Sequence, residues 1–436
     1  MQNTNRRMID NIKKLWNRLF LVERPSLSLG LFRVALAFTA GSVVIPTLFN
    51  LRDNYYSTAL KIFDLNFFPG WFVEFIQRSP DALVLAAAVA FCVFWLFFLT
   101  GLFSQASCIL MTLCCYYFYA LNSFHVGTLS WDILLVTLFL MCICPYSGDY
   151  FSLDALRKAK PDAYKTPRPY WIQRLLQLQI ACTYFYTGLY KISAQGNWLN
   201  DNPIYYLMNY PPEGAVKWFL LRDFFMDKPE LCYWTGVTIV VVEILMPFLL
   251  FNRRTRLQAI TLGVFFHIVL ILTLDVPATF FFLFPAQLFL FINPGGIVRW
   301  VEHKRVMQAM TKQNLVVYDG DCGFCRRSVA KLRVLDLFGA LAMVDFKQTD
   351  VKILHPDLTP EACNRQMHLV ETDGRLSGGF ESFRRMCFLL PMCYVFLPVM
   401  YFPGVGLTGN AVYRLIAKNR RILPWKPKCD DGACKI

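Results

Sequence analysis

Eight apolar stretches, at about 29–50, 83–103, 106–121, 132–146, 171–193, 231–251, 257–274 and 276–292, follow one another through the first two thirds of the chain. A helix needs on the order of 20 mostly apolar residues to cross a bilayer, so these runs predict a multi-pass α-helical membrane domain of about eight spans. The third, fourth and eighth runs are short, and only Leu274 and Asp275 separate the last two, so seven or nine spans also fit. The whole chain of 436 residues is 56% hydrophobic and 17% charged, which one water-soluble core could not absorb.

The formal net charge of +14 points to topology rather than to nucleic acid, because the cations collect in short clusters between the apolar runs. Arg6, Arg7, Lys13, Lys14, Arg18 and Arg24 precede the first span, and Arg157, Lys158, Lys160, Lys165 and Arg168 fill the fourth loop. Arg253, Arg254 and Arg256 mark the sixth loop, and Arg299, Lys304 and Arg305 follow the last span. With an even span count every cluster falls on one side. The positive-inside rule makes that side cytoplasmic, with both termini, as expected for a bacterial inner (cell) membrane protein whose partner is the lipid bilayer. Residues 1–28 read as a basic amphipathic helix at the interface leading into a retained span, without a cleavable signal peptide.

After the membrane domain, 29–293, the text changes at Asn293-Pro294-Gly295-Gly296. A polar helical linker, 294–311, precedes a domain at 312–436. There Leu315–Tyr318 reads as a buried strand, Asp319-Gly320 as a turn, and a helix opens near Cys322, which is the start of a small α/β fold. Thr372-Asp373-Gly374 between Met367–Glu371 and Arg375–Ser377 signals a hairpin. Helices follow near Glu381–Leu390 and Gly409–Lys418. Between them, Cys387–Pro403 is apolar but broken by Pro391, Pro398 and Pro403, as in a segment lying on the membrane or against the first domain.

Of fifteen cysteines, eight fall in the membrane-like segments and read as small apolar fillers. The other seven, Cys322, Cys325, Cys363, Cys387, Cys393, Cys429 and Cys434, lie in the C-terminal part and include two close pairs, Cys322/Cys325 and Cys429/Cys434. In Tyr318-Asp319-Gly320-Asp321-Cys322-Gly323-Phe324-Cys325 the two thiols stand at a helix N-terminus after a strand, where unpaired backbone N–H groups stabilise a thiolate. Cys322 is then the nucleophile and Cys325, one turn on, the resolving thiol, with Arg326 and Arg327 as candidate cations that lower the thiol pKa and Asp321 opposing them. A bland alternative makes the CxxC half of a zinc site completed by Cys429 and Cys434. The Cys429/Cys434 pair, on a Pro-rich tail, reads otherwise as a second dithiol that shuttles electrons or as an incidental pair.

YDGDCGFC and the late AVYRLIAKNR at Ala411–Arg420 resemble the DCC family of thiol-disulfide oxidoreductases, over roughly 312–436. That resemblance implies a thioredoxin-like fold and disulfide exchange with a protein or small-molecule disulfide or thiol, with no cofactor and no metal required. Thioredoxins carry a cis-proline before the strand facing the site; here Asn364-Arg365-Gln366 stand there.

In the spans, Arg33, His125, Asp132, Lys191, Glu243 and His267 are ionisable and costly, each either satisfied structurally or functional. On the topology above, His125, Asp132 and Lys191 lie toward the outer ends of their spans, where one pocket could hold all three. Tyr186-Thr187-Gly188-Leu189-Tyr190-Lys191-Ile192, Asn197-Trp198-Leu199 and Phe266-His267-Ile268 resemble the HTTM family, the membrane domain shared with vitamin K-dependent γ-carboxylase, over roughly 20–300. The resemblance implies Lys191 as a base toward a reduced quinone and His125 as the partner of the resulting anion. The carboxylase's long lumenal segment has no counterpart, so peptide carboxylation is not expected, whereas a quinone in the membrane domain is. The leading expectation is a membrane-anchored thiol-disulfide oxidoreductase. Its rivals are a quinol-dependent, γ-carboxylase-like enzyme centred on Lys191 and a metal-binding membrane scaffold.

Overall fold

The computed structural model describes residues 16–59, 69–122, 129–211, 219–276 and 279–420, with Asn11, Lys13, Lys14 and Ala215. It divides into two compact units, one built from the chain up to Asp154 with Lys165–Gly296, the other from Ala155–Tyr164 with Ile297 onward.

The first unit is helical, and each of the eight expected runs forms a helix. In chain order these are α1 (Leu27–Phe49), α2 (Asp81–Thr100), α3 (Ser104–Leu121), α4 (Leu129–Cys142), α5 (Trp171–Ile192), α6 (Pro229–Phe251), α7 (Arg256–Thr273) and α8 (Thr279–Phe289). Among the described residues, five of them, α1, α2, α3, α6 and α7, are long and apolar enough to cross a membrane. The fourth and eighth runs, expected to be short, are short helices: α4 has 14 residues and α8 has 11. α8 carries Pro285, and the helix Pro294–Ala309, here α9, follows it. α5 has the length of a span but carries glutamines whose amides are satisfied inside the unit. Gln173 and Gln177 both donate to the Leu290 carbonyl, at 2.6 and 2.8 Å, and Gln179 donates to Thr137 Oγ1 at 2.8 Å.

α1 runs through the core, with Leu36, Ala37, Ala40 and Val44 fully buried. Gly41 has no side chain because Trp95 lies where one would be, 2.7 Å from a Cβ, with its indole N–H donating to the Ala37 carbonyl. Arg33, fully buried, donates to the Phe98, Leu99 and Phe151 carbonyls, so its charge spans the end of α2 and the turn that follows α4; its role is structural. On α2, Leu85, Val89, Val93 and Leu96 recur at helical spacing and stay exposed, the pattern of a face solvated by lipid.

The second unit holds a four-stranded sheet: β1 (Asn314–Tyr318), β2 (Leu341–Asp345), β3 (His368–Val370) and β4 (Leu376–Gly378), in spatial order β2-β1-β3-β4. β1 pairs with β2 in parallel and with β3 antiparallel, and β3 pairs with β4 antiparallel. The parallel pair is joined by α10 (Gly323–Leu335), a βαβ unit. Alternation along β1 sends Val316 to one core with Val329, Leu332, Leu369 and Met386, and Val317 to another with Phe346, Val351, Leu358 and Val370. The expected hairpin turns at Gly374, φ +86°, where an L side chain would be strained. α11 (Phe380–Leu389) and α12 (Val405–Asn419) complete the unit. α9 joins it through Tyr164, which bonds Glu302 and accepts from Arg305 at 3.0 Å.

Candidate functional site

β1 delivers the chain to the turn Asp319-Gly320-Asp321, and three hydrogen bonds fix that turn. Asp319 Oδ1 accepts from the Asp321 N–H at 3.1 Å, Asp345 Oδ1 accepts from the Gly320 N–H at 3.0 Å, and the Asp319 carbonyl accepts from the Cys322 N–H at 3.3 Å. Only glycine fits at 320, since a Cβ would stand 2.0 Å from Asp345 Oδ2. Cys322 is the N-cap of α10: its backbone is extended, φ −82° and ψ 111°, and its Sγ accepts from the Cys325 N–H at 3.4 Å. The helix therefore presents an orphan donor to the Cys322 sulfur, as the sequence reading required.

Both thiols are buried, each 5% exposed. Burial, and then the neighbouring Cys322, push the Cys325 thiol up to about 12, while Arg420 acts in the opposite sense. Cys322 Sγ thus accepts from a helix N–H, while burial works against ionisation of Cys325 and Arg420 works for it.

The cation seen against the thiols is Arg420. Arg326 is exposed on the outer face of α10, whereas Arg420 follows the last residue of α12 and is buried. Its Nη1 lies 3.5 Å from Cys325 Sγ, and its Nη2 lies 3.7 Å from Asp319 Oδ2 and donates to the Asn364 carbonyl. Asp319 is thus a carboxylate beside the Arg420–Cys325 contact. From about two turns earlier, on α12, Tyr413 accepts from the Met367 N–H at 3.0 Å. The segment 364–367, which lacks the cis-proline of thioredoxins, is held instead by two side chains of the C-terminal helix; no cis peptide occurs among the described residues. A pocket of about 30 Å³, lined by Phe324, Cys325, Met367, Phe383, Tyr413 and Arg420 among others, lies against the second thiol. The sequence contained the signal, since Arg420 closes the AVYRLIAKNR motif, but nothing local tied it to a cysteine 95 residues earlier.

In the first unit an apolar cavity of about 170 Å³ is walled by Trp198, Phe266, Phe280 and Phe284 and contains two polar pairs. Lys191 Nζ contacts both Glu243 oxygens at 2.8 and 2.6 Å and lies 5.0 Å over the Trp198 ring. The Tyr184 hydroxyl and His267 Nε2 are 2.7 Å apart. The structure therefore brings Lys191 together with His267 and with Glu243, whose carboxylate the sequence reading did not place with Lys191. Asp132 does not line this cavity; it accepts from the Tyr119 hydroxyl at 2.6 Å. His125, Cys429 and Cys434 lie outside the described residues. Among the described residues, no three His, Cys, Asp or Glu side chains gather to hold a metal ion.

The profile of the HTTM domain matches residues 23–295, well over half of the chain. The chain belongs to the HTTM family. In this HTTM protein a second profile, the DCC1-like thiol-disulfide oxidoreductase, follows at 316–426, the order read from the motifs. A curated protein of Arabidopsis thaliana, described as an uncharacterized chloroplastic protein, is 27% identical over 117 residues, covering 26% of this chain and 54% of its own length. The chain spans about half the length of that curated relative. No solved structure matches. The HTTM protein is therefore a membrane protein with a redox-family domain after its helical unit.

Proposed function

We propose that this HTTM protein is a membrane-anchored thiol-disulfide oxidoreductase whose working pair is Cys322 and Cys325. The observation that carries the reading is the Arg420 guanidinium 3.5 Å from the second thiol of a CxxC that caps a helix. Cys322 thiolate attacks a substrate disulfide, forming a mixed disulfide and releasing one substrate thiolate. Cys325, deprotonated beside Arg420, attacks the Cys322 sulfur, so the second substrate thiol leaves and the Cys322–Cys325 disulfide remains. Two electrons pass to the substrate, and a thiol donor returns them; the Cys429/Cys434 dithiol is the candidate within the chain. The cation clusters favour a bacterial cell membrane with this domain on the cytoplasmic side, where glutathione keeps the pair reduced and the protein acts as a reductant.

The test is a glutathione redox titration of the full chain, read by alkylation and peptide mass spectrometry. A two-electron transition confined to Cys322 and Cys325, with exchange abolished in Cys322→Ser, is expected. Undiminished exchange in Cys322→Ser overturns the assignment.

A second reading concerns the membrane cavity. Its aromatic walls and two polar pairs fit the flat, apolar ring and paired oxygens of a quinone, with Lys191 and Tyr184 as the donors that would hold those oxygens. Such a group supplies two-electron chemistry when bound. Glu243 and His267 hold the donors in place and are the groups with which each exchanges a proton. Under this reading Lys191→Ala removes quinol-dependent chemistry while disulfide exchange persists; loss of exchange in Lys191→Ala counts against two separate sites.

A further inference from the structure

α12 has two faces with different employment. Gly409, Tyr413, Ala417 and Arg420 recur at helical spacing and turn inward: a Cβ on Gly409 would stand 2.3 Å from the Phe380 ring, Tyr413 holds Met367, and Arg420 lies against Cys325. The rest of its surface carries Leu407, Val412 and Leu415, exposed by 82%, 55% and 64%. The segment before it, Pro391–Met400, continues the apolar surface with Val395 and Val399, and Phe402 sits at the bend. Together the two arms are apolar enough to pass for a membrane span, yet they are bent by 109° and so do not form a rod that crosses. Arg384 braces the elbow, donating to the Met400 carbonyl at 3.0 Å and lying 4.1 Å over the Tyr401 ring.

A contiguous apolar surface of this kind has to be covered. Residues 391–419 contain no acidic side chain, and the exposed cations on the elbow are Arg414 and Lys418, on α12 beside the apolar face. Tyr394 and Tyr401 supply the amphipathic aromatics that favour a headgroup region. The same chain carries at least five helices suited to a bilayer, so lipid is at hand. Apolar side chains on one face, cations beside them and no anions are the composition of a segment lying in the interface plane.

We propose that the elbow Pro391–Asn419 docks the redox domain on the bilayer, with Val395, Val399, Phe402, Leu407, Val412 and Leu415 among the acyl chains of an anionic membrane. Because α12 also delivers Tyr413 and Arg420, the thiol pair is held at the lipid surface, within reach of membrane-associated substrates. The docking stands independently of the exchange chemistry; its consequence for substrates rests on the proposed function.

The experiment uses the full chain in phosphatidylcholine vesicles, with and without phosphatidylglycerol, containing a trace of phospholipid with a diazirine on its acyl chain. Photolabelled peptides are mapped by mass spectrometry, with the exposed face of α2 as the internal standard. Label within 391–419 that falls about tenfold in Leu407→Glu/Leu415→Glu, persists in Leu407→Phe/Leu415→Phe and weakens without phosphatidylglycerol is the expected result for an interfacial segment. Label on α2 with none within 391–419 overturns the docking, as does a crosslink between two copies through this face in place of lipid label. The redox titration of the same samples separates the two ideas. A normal Cys322/Cys325 transition without lipid label removes only the docking, and lipid label without any disulfide removes only the exchange reading.

Discussion

Replacing Arg420 by glutamine removes its charge and leaves a shorter, neutral amide. The guanidinium lies 3.5 Å from Cys325 Sγ in a site where both partners are buried. At an effective dielectric of about 20, opposite unit charges at that distance attract by about 5 kcal/mol, equivalent to about 3.5 pK units on the resolving thiol. A more basic thiolate is also a better nucleophile, with a Brønsted slope near 0.5, so about half of that loss returns and resolution slows about 50-fold. The assay follows full-length protein treated with glutathione disulfide near neutral pH, quenched in acid at intervals, with the Cys322 mixed disulfide quantified by mass spectrometry. It should accumulate in Arg420→Gln and be nearly absent in the wild type and in Arg420→Lys. The substitution also removes the ion pair of Asp319, whose side chain is 1% exposed, at a cost of about 3–5 kcal/mol of stability. The double variant Asp319→Asn/Arg420→Gln separates the effects: it should regain stability without regaining the resolution rate. A mixed disulfide that decays at the wild-type rate in a folded Arg420→Gln protein refutes the role given to the guanidinium.

The raised Cys325 thiol carries a pH signature. Its folded value stands above the ordinary one, so its contribution to stability is complete below the ordinary thiol value of 9.0 and is lost as pH rises toward about 12. Urea titrations of the reduced protein should therefore weaken across that alkaline window, whereas the Cys322–Cys325 disulfide, with no proton to lose, should not show this component. Gly320→Ala, forcing a Cβ against Asp345, should destabilise the second unit by about 1–3 kcal/mol and shift the thiol redox midpoint; a thermal melt and midpoint equal to wild type would falsify the tight-turn argument. In the membrane unit, Glu243→Gln leaves Lys191 without the carboxylate that both contacts depend on and should cost about 3 kcal/mol in detergent melts. Lys191→Met/Glu243→Leu should lose less than that single change, and a larger loss speaks against the pair as the origin of the cost.

The sequence alone determined the elements whose cause is local. A run of apolar residues near span length has few alternatives to a helix, and all eight runs are helical. Leu315–Tyr318, the turn at Asp319-Gly320 and the cap at Cys322 were likewise readable, because β-branched alternation, glycine and a helix N-terminus act within a few residues of themselves. What the sequence could not supply were partnerships made across the fold. Hydropathy counts a glutamine or arginine as a cost to a span and does not see Gln177 on the Leu290 carbonyl or Arg33 on three others. Arg326, next to Cys325 in sequence, is exposed on α10, whereas the end of α12 places Arg420 against the Cys325 sulfur, a partnership between residues 95 apart that no local pattern announces. Lys191 was conspicuous as a cation in a span; only the packing of α5 against α6 placed Glu243 on it, and only α7 placed His267 on Tyr184. A charge announces itself by its type, but its partner is chosen by which helices meet, and that is decided by burying apolar faces far from the charge itself.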